Sequence, residues 1–174
     1  KKLWSNKPLI GLVIFSIIVA ILNPRFLSMA NILNVLRQTS INSIIAIGMT
    51  FVILTGGIDL SVGSILAFCG AVMAYLLNIG LEPVIALIIT LLLGMIFGFF
   101  NGFLVSVMKL QAFIVTLVTM TFLRGATLVF TNGKPITVRD GGMLFENIGD
   151  GYLFNIPIPI YLMIFLFIGG HYIL

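Results

Sequence analysis

The sequence predicts an all-α fold: a polytopic transmembrane helical bundle of about six spans, with a short amphipathic helix near residues 28–38. Three observations carry that prediction. The chain of 174 residues is 60% hydrophobic and only 8% charged, with a mean hydropathy of +1.25. A water-soluble domain carries about 25% charged residues, so lipid must solvate much of this surface. Apolar runs recur at about the length a bilayer requires, roughly 17 to 25 residues. Polar punctuation rich in Pro, Gly, Asn and Ser separates them. The net charge of +4 is small and scattered, which argues against a nucleic-acid partner and for anchoring at span ends. The single cysteine, Cys69, has no internal disulfide partner and reads as a small packing residue.

The first span runs from about Trp4 to Leu22, with Trp4 and Lys7 as interface anchors. Lys1-Lys2 before an apolar run imitates a signal peptide, but no small-x-small cleavage site follows, so the span reads as retained. Asn23-Pro24 ends it, because proline lacks an N–H and disfavours helix in the residue before it. Ser28 is placed to cap the next segment, in which Met29, Ile32, Leu33 and Leu36 share one face. Asn31, Asn34, Arg37 and Gln38 share the other, so Ser28 to Gln38 is expected to lie at the interface or against neighbouring spans. The second span is expected at about Ser40 to Thr55 and the third at about Ser61 to Leu77. A second span of about 16 residues rises only about 24 Å against a hydrocarbon core of about 30 Å.

The fourth span, about Pro83 to Val107, carries Gly94, Gly98 and Gly102 on one face. That spacing predicts close approach of another helix, and Asn101 beside it needs a polar partner. The fifth span, about Ala112 to Phe130, carries Thr116, Thr119, Thr121 and Arg124. Threonine hydroxyls can bond carbonyls of their own helix. Two readings of Arg124 stand: it snorkels to the interface, or it pairs with a carboxylate or lines a cavity. Residues 131–156 form the long polar connection, with a turn at Asn132-Gly133-Lys134-Pro135 and charges at Arg139, Asp140, Glu146 and Asp150. Ile156-Pro157-Ile158-Pro159 is extended and leads into a sixth span from about Ile160 to Leu174, in which His171 reads as interfacial. Lys1, Lys2 and Lys7 argue for a cytoplasmic N-terminus, and six alternating spans then put Lys109 inside and the long connection outside, although Arg25, Arg37, Lys134 and Arg139 on the outer side run against the rule.

The most informative stretch is Thr55-Gly56-Gly57-Ile58-Asp59-Leu60-Ser61-Val62-Gly63-Ser64. It sets a carboxylate and two glycines between apolar runs. A bare Asp near membrane depth costs roughly 2.5–3.5 kcal/mol on insertion scales unless it is partnered or wetted. Irregular backbone at that depth is tolerated only within protein or beside a wet cavity. Asp59 therefore either lines a path or starts the third helix, where negative charge is favourable, and both roles are compatible. The chain has no P-loop, no G-x-S-x-G, no H-E-x-x-H and no Cys/His metal cluster, so no catalytic or metal site is expected. Hydroxyls, amides and one acid suit hydrogen bonding to a small hydroxylated solute.

The run Gly48-Met49-Thr50-Phe51-Val52-Ile53-Leu54 followed by residues 55–64 closely resembles the signature of the ribose-type ABC transporter permeases. A second block matches at Asn101-Gly102, Gln111-Ala112-Phe113-Ile114-Val115-Thr116-Leu117 and Leu123-Arg124-Gly125, and a third at Thr131-Asn132-Gly133-Lys134-Pro135-Ile136. Order and spacing hold across about residues 31–136. Within the family the ribose importers are most similar, through Gln111-Ala112-Phe113 and Thr131-Asn132-Gly133. Permeases for galactose, xylose, arabinose and autoinducer-2 share much of the pattern.

The resemblance implies a multi-pass subunit of the bacterial inner membrane that forms a translocation pathway by alternating access. Its implied partners are a second permease copy or homologue, a cytoplasmic ATP-binding subunit, a periplasmic sugar-binding protein and membrane lipid. ATP and Mg belong to the partner ATPase, so this chain is no enzyme and carries no cofactor. Family members have about twice this length, which makes the sequence one transmembrane domain, the expected N-terminal half of a larger permease. Thr55, Asp59, Ser61, Ser64, Asn101, Gln111, Thr116 and Arg124 are the expected pathway or gate residues. The rival classes are a stand-alone channel or secondary carrier, which needs no ATPase, and a membrane scaffold without transport.

Overall fold

The computed structural model describes residues 7–138, 149 and 151–173. Lys1, Lys2 and Trp4, and Arg139, Asp140, Glu146 and Asp150 of the long connection, lie outside the described residues. The helices are α1 (Lys7–Leu22), α2 (Met29–Leu54), α3 (Val62–Asn78), α4 (Pro83–Ser106), α5 (Ala112–Phe130) and α6 (Ile158–Ile173). A 3-10 turn (Pro24–Leu27) follows α1, and a small antiparallel hairpin, β1 (Tyr152–Leu153) and β2 (Ile156–Pro157), precedes α6.

The local signals explain most boundaries. After α1, Asn23 Oδ1 accepts the Arg25 N–H at 3.0 Å and turns the chain into the 3-10 turn. Ser28 caps α2 as expected, its Oγ accepting the Asn31 N–H at 3.3 Å. Proline stands at the start of α4, where a missing N–H costs nothing. Helices α3 and α5 close alike. In α3, Gly80 has φ +83°, its N–H bonds the Leu77 carbonyl, and the Leu81 N–H bonds the Leu76 carbonyl. In α5, Asn132 at φ +52° and Gly133 at φ +67° repeat the pattern onto Val129 and Leu128. Both are Schellman closures, which satisfy carbonyls that the helix end would otherwise orphan.

Two expectations are corrected here. The amphipathic helix near 28–38 is not separate: α2 runs unbroken for 26 residues through Gln38-Thr39-Ser40. Ser40 is fully buried, and its hydroxyl returns to the Leu36 and Arg37 carbonyls at 2.8 Å, so its polarity is absorbed within the helix. The Arg37 guanidinium lies 5.2 Å from the Tyr152 ring centroid, so the polar face of this segment meets the hairpin. The glycine stripe is the second correction. A Cβ at Gly94 would lie 3.7 Å from Cys69 Sγ on α3, but at Gly98 or Gly102 it would meet nothing within 4 Å. That part of α4 faces open space.

Helix α3 packs against both α4 and α5, which also touch each other, and α2 packs along α6. Met73, Leu77 and Ala86 form the buried cluster between α3 and α4, flanked by Leu76, Leu81 and Leu87. Phe68 meets Phe97 edge-on at 5.8 Å, and Tyr75 meets Phe130 at 5.4 Å, tying α3 to α4 and α5. Three helices, α2, α4 and α5, are long and apolar enough to cross a membrane, and α1, α3 and α6 are shorter apolar helices. Phe15, Phe99 and Val129 are among many large apolar side chains left exposed. Such continuous apolar surface requires lipid or protein around it, as a membrane protein has.

Candidate functional site

The α2–α3 joint consists of two local devices back to back. Thr55-Gly56-Gly57 is a Schellman closure of α2: the Gly56 N–H bonds the Ile53 carbonyl at 2.9 Å and the Gly57 N–H bonds the Val52 carbonyl at 3.1 Å. Gly56 has φ +78°, a conformation that a side chain at Cβ disfavours, which explains the first glycine; a Cβ at Gly57 would lie 3.4 Å from the Val52 carbonyl oxygen and Cγ1. Asp59 then makes an Asx turn. Its Oδ1 accepts the Ser61 N–H at 2.7 Å and the Ser61 hydroxyl at 2.6 Å. Ser61 is the N-cap residue of α3, but its backbone is already helical (φ −82°, ψ −16°) and its side chain makes no cap bond; its hydroxyl donates to Asp59 and its oxygen accepts from Asn101. Asp59 is thus not the N-cap itself. It organises the cap from two residues upstream, with its charge at the positive end of the helix dipole.

From Ser61 a hydrogen-bonded chain crosses to two other helices. Asn101 on α4 donates from Nδ2 to Ser61 Oγ at 2.9 Å, and Thr119 on α5 donates to Asn101 Oδ1 at 2.7 Å. Every donor points the same way, from Thr119 through Asn101 and Ser61 to the carboxylate, which accepts only. Aligned bonds of this kind polarise one another in a low-dielectric interior. Ser61, Asn101 and Thr119 are all buried. Thr116, also buried, reaches the other side of Asp59, its hydroxyl lying 3.2 Å from the Ile58 carbonyl. Ser64 closes the first turn of α3 by donating to the Ser61 carbonyl at 2.8 Å. Asp59 is half-buried, and its Oδ2 takes no hydrogen bond from the described residues.

The structure therefore brings together Asp59, Ser61, Ser64, Asn101 and Thr116, and leaves three expected residues apart. Thr55 is exposed and bonds the Val52 carbonyl of its own helix at 2.7 Å. Gln111 is exposed at the N-cap position of α5 and makes no side-chain cap bond. Arg124 is exposed next to the buried Leu123, without an ion pair among the described residues. Thr119 is the residue that sequence reasoning undervalued. Its three-residue spacing from Thr116 placed both on one face of α5, and Asn101 lacked a partner; the two facts together pointed to this bond. Among the described residues no cluster of His, Cys, Asp or Glu could hold a metal ion. The site offers hydroxyls, one amide and one carboxylate, which suits hydrogen bonding and not bond making.

The chain is 51% identical over 174 residues to the ribose import permease of Haemophilus influenzae, covering 99% of this chain and 54% of that protein. It is 51% identical over 161 residues to the ribose import permease of Bacillus subtilis, covering 92% of this chain and 50% of that protein. It is 41% identical over 129 residues to the xylose transport system permease of Escherichia coli, covering 74% of this chain and 32% of that protein. The chain thus spans about half the length of the relatives it matches. No solved structure matches it. The family described as branched-chain amino acid transport system / permease component matches residues 31–174, which takes in the whole joint and both helices that hold it; the chain belongs to that permease family.

Proposed function

We propose that this chain is a transmembrane part of the permease subunit of an ATP-driven importer for a monosaccharide, ribose, and that the joint at residues 55–64 belongs to its translocation pathway. The observation that carries the reading is the likeness to the ribose import permeases across nearly the whole chain. The polar relay supports it, because a buried series of hydroxyl, amide and carboxylate is costly in an apolar bundle unless it serves packing and passage together. The subunit sits in the bacterial inner membrane with its N-terminus in the cytoplasm and residues 131–156 in the periplasm. It works with a second permease copy or homologue, a cytoplasmic ATPase that binds ATP and Mg, and a periplasmic binding protein. Binding protein delivers sugar outside, the ATPase cycle shifts the permease pair, and sugar leaves inside. This chain supplies no catalytic group. Thr55, Gln111 and Arg124 then act away from the relay, at surfaces that other parts of the assembly cover.

The test is reconstitution of the full-length subunit with its ATPase, assayed with ribose, xylose, galactose and arabinose binding proteins and with an autoinducer-2 binding protein. Ribose-loaded binding protein is expected to stimulate ATPase activity and drive uptake. Stimulation by a different sugar alone would overturn ribose. Uptake that persists without the ATPase would overturn the importer reading in favour of a channel or secondary carrier.

A further inference from the structure

We propose that Thr116 and Thr119 are positioning residues through which α5 fixes the place of Asp59, forming a releasable hydroxyl latch on the joint. The inference rests on the permease reading above and adds a moving part to it. The two threonines lie three residues apart on the buried face of α5 and hold the joint on either side of Asp59. Thr116 reaches the carbonyl of Ile58, the residue before it. Thr119 acts through Asn101 on Ser61, two residues after it. Thr121 and Thr127 of the same helix bond only carbonyls of α5 itself, so this use of hydroxyls is confined to one face.

The Thr116 hydroxyl also lies 2.8 Å from the Ala112 carbonyl, closer than the 3.2 Å to Ile58. The Phe113 carbonyl lies at 3.4 Å, so one proton is shared among three acceptors, two of them in α5 itself. If α5 slides or turns away from the joint, Thr116 keeps a partner within its own helix. Thr119 has the same recourse one turn back, the usual resting bond of a helical threonine. Release therefore orphans no hydroxyl. It does strip a donor from the Ile58 carbonyl and from Asn101 Oδ1, so the engaged state is favoured while still being escapable. Asn101 and Ser61 need not part, because their bond does not involve α5. Motion of α5 is thus transmitted to Asp59 while engaged and is uncoupled from it when released.

The experiment compares Thr116→Val, Thr119→Val, Thr119→Ser and the double valine variant in the full-length subunit, with Thr121→Val as control. Two readouts are taken: ATPase stimulation by ribose-loaded binding protein, and amide hydrogen exchange across residues 56–62 in detergent, which needs no transport. Thr119→Val is expected to speed exchange in the joint and to cut stimulation, each by about three- to tenfold, the range that one interhelical hydrogen bond carries. Thr119→Ser and Thr121→Val are expected to stay within about twofold of the native protein. If the valine variants leave both readouts unchanged, or if Thr119→Ser is as impaired as Thr119→Val, the latch is refuted. If the native protein shows no ribose-stimulated activity while Thr119→Val still loosens the joint, the ribose reading fails and the hold of Thr119 on the joint stands apart from it.

Discussion

Asn101 offers a test in which polarity and charge give opposite answers. It is 5% exposed and makes two side-chain bonds, donating to Ser61 and accepting from Thr119. Asn101→Leu removes both. Thr119 can return its hydroxyl to α5, and Ser61 still donates to Asp59, so no donor is stranded. Interhelical hydrogen bonds in membrane proteins average about 0.6 kcal/mol and reach about 1.7, so the loss is about 1–2 kcal/mol. Asn101→Asp is nearly isosteric yet worse. Its second oxygen would face Ser61 Oγ, whose single proton already goes to Asp59 Oδ1. Two carboxylates would then compete for one donor, and one of them would be buried without a counter-charge. An uncompensated buried charge costs about 3–5 kcal/mol. Thermal unfolding of the full-length subunit in detergent should therefore rank native, then Leu, then Asp, with at least about 1 kcal/mol between the variants. An Asp variant as stable as the Leu variant would refute the directed relay.

Three further outcomes follow from the same geometry. Asp59→Asn should fold with less than about 1 kcal/mol of loss, because an amide oxygen can take both Ser61 donors at the Oδ1 position, whereas Asp59→Leu should lose about 2 kcal/mol. Uptake by the foldable Asn variant then reports on charge alone, and near-native uptake would remove any role for it. Gly56→Ala should cost about 1–2 kcal/mol by chemical denaturation, since φ is +78° even though a Cβ would meet nothing within 4 Å. Gly98→Ala should be neutral or gain up to about 1 kcal/mol in this 174-residue chain, where that face is open. A large loss in the full-length subunit, read by the same denaturation, would show that another helix seats there.

Much of the fold was legible because its signals are local. Asn23-Pro24, Ser28 and Pro83 act within a few residues, and α5 spans Ala112 to Phe130 as the apolar run indicated. The Thr55–Ser64 joint was legible as an irregular polar break for the same reason. What escaped depends on partners distant in sequence. Gln38-Thr39-Ser40 reads as a polar boundary, yet α2 continues, because Arg37 finds Tyr152 more than a hundred positions away. Hairpin β1–β2 turns through Phe154 and Asn155, both at positive φ; Asn155 suits that conformation, but Phe154 announces no turn. Thr119 was named among three threonines whose hydroxyls have the same local option, and only the packing of α4 on α5 singles it out. Gln111 and Arg124 are polar residues in apolar context, but sequence does not say which face has a neighbour.

The relay also bears on why the joint is polar at all. Helix α3 has 17 residues and rises about 26 Å, short of a core of about 30 Å. One of its ends must then sit where water does not satisfy backbone groups. The two ends are built differently. At the C-terminal end, Gly80 closes the helix locally and Asn78 donates to the Thr137 carbonyl at 3.0 Å, among exposed residues. At the N-terminal end, buried side chains from two other helices are committed to the joint, and they serve the Ile58 carbonyl and the Ser61 hydroxyl. Such partners are superfluous where water is at hand and necessary where it is not. The N-terminal end of α3 is accordingly the one whose polar groups are served by protein. On that argument the capping and pathway roles of Asp59 are not rivals. A carboxylate spending Oδ1 on the helix and leaving Oδ2 open performs the first while remaining available for the second.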